Sequence, residues 1–313
     1  MNPKHIFIIG AQKSATTSLH QILSNHKEVD SGINKEPNFF SKDKLYTKGY
    51  SFYLNNYTND NKNIKLDSSQ SYLTIEKTPE RIYSMIGGDI KIIIALRDPV
   101  DRIESAFNHF KTKYAGEVSR GINDILPINY AEMSLEELIE YEQKNIKLLI
   151  KEKKIISRDE EWIKDGFPFN YFNNSCYTKH IFNYLKYFDP NNILIVSFKD
   201  ITENQFIVSK KISNFLGVEY NDFLSQKRVH KNQTVHFRYK FIPSLIHNTS
   251  YYYEKLDSLI SNWPGWKFIK RLVKLILYKK DRESLESKKY NFLKNLYKDE
   301  VRKSNEMLSY KPE

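Results

Sequence analysis

The chain has 313 residues, room for one large domain or two small ones, and its 40% hydrophobic and 28% charged content excludes a disordered protein. Its 49 Lys and Arg against 38 Asp and Glu leave a net charge of +11, which favours anionic partners (phosphates, sulfates, nucleic acid, an acidic membrane surface) without choosing among them. A single cysteine, Cys176, excludes an internal disulfide and a cysteine-rich zinc site, and no apolar run is long enough for a signal peptide or a spanning helix, so the expected setting is cytoplasmic.

The first strand is expected at Ile6–Ile9, stopping at Gly10. Next comes Gly10-Ala11-Gln12-Lys13-Ser14-Ala15-Thr16-Thr17-Ser18, then Leu19, Ile22 and Leu23 at helical spacing. A loop that presents backbone N–H groups at a helix N-terminus attracts anions, and the hydroxyls and Lys13 add matched donors. The stretch is P-loop-like without being a Walker A sequence, because no Gly-Lys-Ser/Thr is present. Taken alone, it also fits a capped turn with a surface lysine. Lys35-Glu36-Pro37-Asn38-Phe39-Phe40 follows, where an aromatic pair behind a carboxylate suits a desolvated general base. A solvated loop glutamate is the plainer alternative.

Ile64–Leu66 is a weaker strand, with a helix over Pro79–Met85 behind it. Ile92–Leu96 is the strongest, and its unbroken β-branched run suits a strand covered on both faces. It runs into Arg97-Asp98-Pro99-Val100-Asp101-Arg102 and a helix over Pro99–Phe110 carrying Ser105 and His109. Parallel strands end on one edge, so Arg97 is expected beside the first loop, where it and Ser105 could hold a second phosphate. The alternative pairs Arg97 with Asp98 or Asp101.

Residues 112–170 read as an insertion, with Ser134 and Glu137 forming a capping box for a helix to about residue 152. Helices over Cys176–Phe188 and Phe206–Leu216 bracket a strand at Ile193–Val196. After Gly217 the chain loses strand character and closes with lysine-rich helical patterns over Trp266–Lys280 and Ser284–Leu308. In the first of these, Trp266, Ile269, Leu272, Val273 and Ile276 share a face that either packs on the core or lies on an anionic membrane. The expected architecture is α/β: a P-loop-like three-layer fold with a central parallel sheet flanked by helices, in a single domain (1–313) with its core at about residues 5–216, a helical insertion and a helical tail.

Three segments in this order, Phe7–Leu19, Lys35–Phe40 and Leu96–Arg102 with Ser105, resemble the sulfotransferases that use 3′-phosphoadenosine 5′-phosphosulfate (PAPS), particularly the heparan sulfate and bacterial carbohydrate branch. Cys176-Tyr177 and Ile193–Phe198 match more loosely. The resemblance implies that Lys13 stabilises the leaving group while the loop residues Ser14, Ala15, Thr16, Thr17 and Ser18 bind the 5′-phosphate. It implies that Arg97 and Ser105 bind the 3′-phosphate and that Glu36 takes the acceptor proton, with adenosine 3′,5′-bisphosphate (PAP) released and no metal used. Tyr177, Lys231 and Arg238 are further nucleotide-contact candidates, and His109 is a candidate for touching the acceptor or supporting Glu36. The acceptor implied is a hydroxyl on a saccharide or glycoconjugate, with no nucleic acid partner.

Two departures accompany the resemblance. Ala15 stands where relatives often have glycine, so the backbone there is expected to avoid positive φ. Relatives also carry an active-site lysine at the second core strand; with Pro79–Met85 helical, Asp67–Tyr72 falls at that strand end and Ser68 replaces the lysine. The rival readings are a phosphate-loop kinase or NTPase, which needs magnesium, and a non-catalytic polyanion- or membrane-binding protein.

Overall fold

The computed structural model describes residues 4–58, 62–111, 121–151, 169–219, 236–237, 278–279 and 283–309. Along the chain run β1 (Lys4–Gly10), α1 (Thr16–Ser24), β2 (Val29–Asp30), α2 (Asp43–Tyr46), α3 (Tyr50–Leu54), β3 (Ile64–Asp67), α4 (Thr78–Ile86), β4 (Lys91–Leu96) and α5 (Pro99–Lys111). After them come α6 (Leu135–Lys151), α7 (Tyr177–Leu185), β5 (Ile193–Ser197), α8 (Phe198–Glu203), α9 (Gln205–Leu216), β6 (His236–Phe237), β7 (Tyr278–Lys279), α10 (Ser287–Leu296) and α11 (Lys298–Ser309). Two compact units result, one of residues 1–102, 172–231 and 293–313, the other of 103–171 and 232–292.

The first unit holds a five-stranded parallel sheet in the order β2-β3-β1-β4-β5. Side chains alternate across a strand, and here both faces are dry. Phe7, Ile9, Ile92 and Ile94 pack on one face with Phe39, Phe40, Tyr53, Tyr72 and Tyr184. Ile6, Ile8, Ile93 and Ala95 pack on the other with Leu19, Ile22, Val208 and Ile212. The unbroken apolar runs of β1 and β4 are thus the signature of a sheet sandwiched between layers, as expected. Two-residue β2 is too short to leave a pattern in the sequence. At the edge, β5 buries only Val196 fully. Because all five strands are parallel, the loops after β1, β3 and β4 leave from one edge of the sheet.

In the second unit, the capping box of α6 forms as its sequence predicts: the Glu137 N–H donates to Ser134 Oγ at 3.2 Å, and the Ser134 N–H donates to Glu137 Oε2 at 2.7 Å. Asn108 and Glu283 exchange hydrogen bonds of 2.8 and 2.9 Å, and Lys111 pairs with Glu283. The expected absence of strand after Gly217 is corrected by the antiparallel pairing of β6 with β7. Tyr278 and Lys279 are therefore extended and not the end of a helix, while 266–277 lies outside the described residues. The closing helical pattern is two helices, α10 and α11.

Candidate functional site

β1 ends at Gly10, where a Cβ would come within 2.9 Å of Leu73 Cβ, so only glycine fits this approach. The loop then reverses through two left-handed residues, Lys13 (φ 68) and Ala15 (φ 67). This corrects the expectation that Ala15 avoids positive φ. The Ala15 carbonyl accepts the Ser18 and Leu19 amides at 3.0 and 3.2 Å, and these first bonds of α1 hold the residue in a conformation that costs an L-residue about 1 kcal/mol. Among the described residues, the amides of Ala15, Thr16 and Thr17 donate to no other group. Ser14 Oγ is fully buried and likewise without a partner among them. A buried hydroxyl, three amides at a helix N-terminus and the half-buried Lys13 make a donor set that fits a phosphate or phosphosulfate.

Lys35 and Glu36 stand against this loop. Lys35 Nζ donates to Thr17 Oγ1 at 3.0 Å and to Glu36 Oε1 at 2.7 Å, and Gln70 Nε2 donates to Glu36 Oε2 at 3.3 Å. The desolvated carboxylate expected from the aromatic pair is not what forms. Phe39 and Phe40 turn into the core, and the Glu36 side chain stays 27% exposed with an ammonium beside it. The turn is possible because Asn38 adopts φ 54, which asparagine tolerates, with its N–H donating to Ser69 Oγ at 2.9 Å and its Nδ2 to the Glu36 carbonyl at 2.8 Å.

Beneath that turn, Asp67 is fully buried at the end of β3. Its Oδ1 accepts the Ser69 N–H at 3.0 Å and the Ser69 hydroxyl at 2.6 Å, and its Oδ2 accepts the Tyr72 hydroxyl at 2.9 Å. Burial pushes its carboxyl up to about 7, against the opposing pull of the Ser69 and Tyr72 hydrogen bonds. Ser68 takes the strand-end position, as the helical Pro79–Met85 stretch required, and its Oγ lies 2.8 Å from His20 Nδ1. Burial, then the charge of Lys35, lowers His20 to about 4 and keeps it neutral. Lys77, just before α4, pairs with Asp43 at 2.6 Å.

Arg97 does sit beside the first loop: its Nη1 donates to the Lys13 carbonyl at 3.4 Å, and its guanidinium lies over the Phe198 ring, 4.5 Å from the centroid. Asp98 caps α5, accepting the Val100 and Asp101 amides at 3.0 and 3.1 Å, and also pairs with Lys294. Arg102 is buried and donates from Nε to Ser175 Oγ at 2.7 Å, a structural use.

Ser105 and His109 lie on the part of α5 that belongs to the second unit, both half-buried, with the His109 ring edge-on to Phe110 at 4.9 Å. Tyr177 opens α7 and is wholly buried in the aromatic core, where burial raises its phenol to about 12. Lys231 and Arg238 lie outside the described residues. Three contributors were not singled out from the sequence: Lys35, Gln70 and His20. His20 carried a readable signal, one helical turn past Thr17 on the same face. Gln70 carried none, since only the fold brings it across 34 positions to Glu36.

A family model described as sulfotransferase domain matches residues 3–244. The heparan sulfate glucosamine 3-O-sulfotransferase 5 of Mus musculus is 25% identical over 232 residues, covering 72% of this chain and 58% of that protein. The 3-O-sulfotransferase 3B1 of the same organism is 25% identical over 233 residues, covering 74% of this chain and 50% of the relative. The chain therefore spans only about half the length of these curated relatives. Among solved structures, a sulfotransferase from Alicyclobacillus acidocaldarius superposes with a TM-score of 0.50 at 20% identity, covering 85% of this chain and all of that one, and shares the fold.

Proposed function

Since this chain belongs to the sulfotransferase domain family, we propose that it transfers a sulfuryl group from PAPS to an acceptor hydroxyl on a carbohydrate. One observation carries the reading: at one sheet edge, a loop of unengaged anion donors and a carboxylate are separated by a single ammonium, Lys35 Nζ, at 3.0 Å from Thr17 and 2.7 Å from Glu36. The activated phosphosulfate of bound PAPS supplies the transferable group and leaves as PAP. The amides of Ala15, Thr16 and Thr17, with the hydroxyls of Ser14, Thr16, Thr17 and Ser18, hold the 5′-phosphate. Lys13 donates to the oxygen that gains charge as the bridge to sulfur breaks. Arg97 holds the 3′-phosphate, its plane already set by Phe198 and the Lys13 carbonyl. Glu36 takes the proton from the acceptor hydroxyl while its oxygen bonds to sulfur. Such a transfer asks the protein chiefly for positioning and for donors aimed at spreading negative charge, which lysine and backbone amides provide. Ser105 and His109 stay assigned by family resemblance alone.

The saccharide acceptor is supported by the relatives, whose names specify a heparan sulfate glucosamine. Calorimetry with PAPS, and separately with ATP and magnesium, tests the donor; labelled sulfate transfer across a saccharide panel tests the acceptor. Saturable PAPS binding and transfer to a sugar are expected. Binding of ATP with magnesium in place of PAPS would overturn the reading in favour of a phosphate-loop kinase.

A further inference from the structure

We propose that Lys35 is a second cation of the donor site, held on Glu36 in the free protein and drawn to the sulfuryl end of the donor when it binds; this rests on the sulfotransferase reading above. Its ammonium touches both halves of the machinery at once, the first turn of α1 at Thr17 Oγ1 and the carboxylate at Glu36 Oε1. The stem is rooted by its own backbone, because the Ser68 N–H donates to the Lys35 carbonyl at 3.1 Å and ties it to the end of β3. At that strand end the side chain is the Ser68 hydroxyl, bound to a neutral His20, so the cation of this corner comes from the neighbouring loop.

The contacts define a switch with two positions. While Lys35 donates to Glu36 Oε1, that oxygen has a hydrogen bond in the place an incoming hydroxyl proton needs. A phosphosulfate on the loop brings several negatively charged oxygens next to Thr17, where the same ammonium already reaches. With the side chain only 25% exposed, solvent screens this attraction less than on an open surface. Moving to the donor frees Oε1, so the carboxylate becomes competent only after the donor is in place. Donor binding before productive acceptor binding follows from that order, because a phosphosulfate on the loop competes with Glu36 for Lys35.

The test compares PAPS with PAP, which lacks the sulfuryl group, by calorimetry on the full chain and on Lys35→Met and Lys35→Arg. Wild type is expected to bind both. Lys35→Met should lose about tenfold or more in PAPS affinity, the size of one charge-assisted hydrogen bond, with a smaller loss for PAP, and Lys35→Arg should recover most of it. Thermal melts establish that each variant is folded, and Lys35→Gln replaces Lys35→Met if the latter melts early. PAPS binding to Lys35→Met within twofold of wild type, or an equal loss for PAPS and PAP, would overturn the proposal while leaving the sulfotransferase reading intact. If wild type binds neither nucleotide, the sulfotransferase reading itself falls, and this inference with it.

Discussion

The turn after β1 and the turn after β3 leave the same edge of one sheet, yet they spend their hydrogen-bonding groups in opposite ways. After β1, the amides of Ala15, Thr16 and Thr17 and the hydroxyl of Ser14 bond to nothing else among the described residues. After β3, nearly every group is engaged: Asp67 with Ser69 and Tyr72, Ser69 with the Asn38 amide, Ser71 with Asn38 Oδ1 at 2.9 Å and with Ser41 at 2.9 Å, Ser68 with His20. A buried donor left open costs stability, so it persists where a ligand completes it. A saturated buried network instead fixes geometry, and this one fixes the turn from which Glu36 projects. In the proposed function the first turn is therefore the receiving surface and the second is its support.

The largest expected effect lies where the two meet. Glu36→Gln and Lys13→Ala should each lower turnover by about a hundredfold to ten-thousandfold, the usual range for a positioned base or a charge-stabilising donor. Glu36→Gln should meanwhile keep PAP affinity within about threefold, because the loop donors are untouched. Steady-state sulfation of the best acceptor and PAP calorimetry give both quantities. Unchanged sulfation in both variants would reduce the first turn to an ordinary helix cap and erase the comparison.

A second effect reads the supporting turn through pH. Asp67 has its carboxyl raised by burial from 3.8 to about 7. Between those values the folded chain keeps a proton that the unfolded chain has released, so the group's contribution to stability is fully present at acid pH and is lost as pH rises through about 7. Asparagine keeps the shape without the charge. Asp67→Asn should therefore gain on wild type as pH rises from about 4 to about 8, by on the order of 4 kcal/mol at most. Urea midpoints of both proteins across that range measure the difference. A constant offset would mean that Asp67 is not desolvated and that the network is looser than its distances imply.

Legibility in the sequence followed the same division. The receiving turn was readable because its ingredients are local: strand, glycine, hydroxyls, lysine and helix within Ile6–Leu23. Four of the five strands of the sheet were readable too: burial on both faces writes an unbroken apolar run in β1 and β4, β5 keeps such a run at the edge, and β3 leaves a weaker one broken by Lys65, while Val29–Asp30 is too short to write anything. The supporting turn was not readable. Asp67, Ser69, Ser71 and Tyr72 look like any polar stretch, and their meaning depends on Asn38 and Ser41 arriving from about 30 positions away. For Glu36 the sequence suggests a desolvated carboxylate, but the aromatic pair behind that suggestion points into the core, and the adjacent lysine pairs with the carboxylate instead.

The smallest effect sharpens the comparison most, because it asks whether the receiving turn stores strain. Ala15 sits at φ 67 and ψ 27, a left-handed conformation that disfavours a side chain by about 1 kcal/mol. Glycine removes the clash but adds freedom to the unfolded chain, so Ala15→Gly should stabilise the protein by a net of roughly 0.5 kcal/mol. That is a rise of about one degree in melting temperature for a protein of this size. The same added freedom loosens the arrangement of the Ala15, Thr16 and Thr17 amides before a ligand arrives, so PAP affinity should fall by up to about threefold. Opposite signs in the melt and in the titration are what a strained, preorganised anion cradle predicts. A variant that melts earlier than wild type would mean that Ala15 does not hold the left-handed turn, and the open amides of the first turn would lose the geometry that makes them a site.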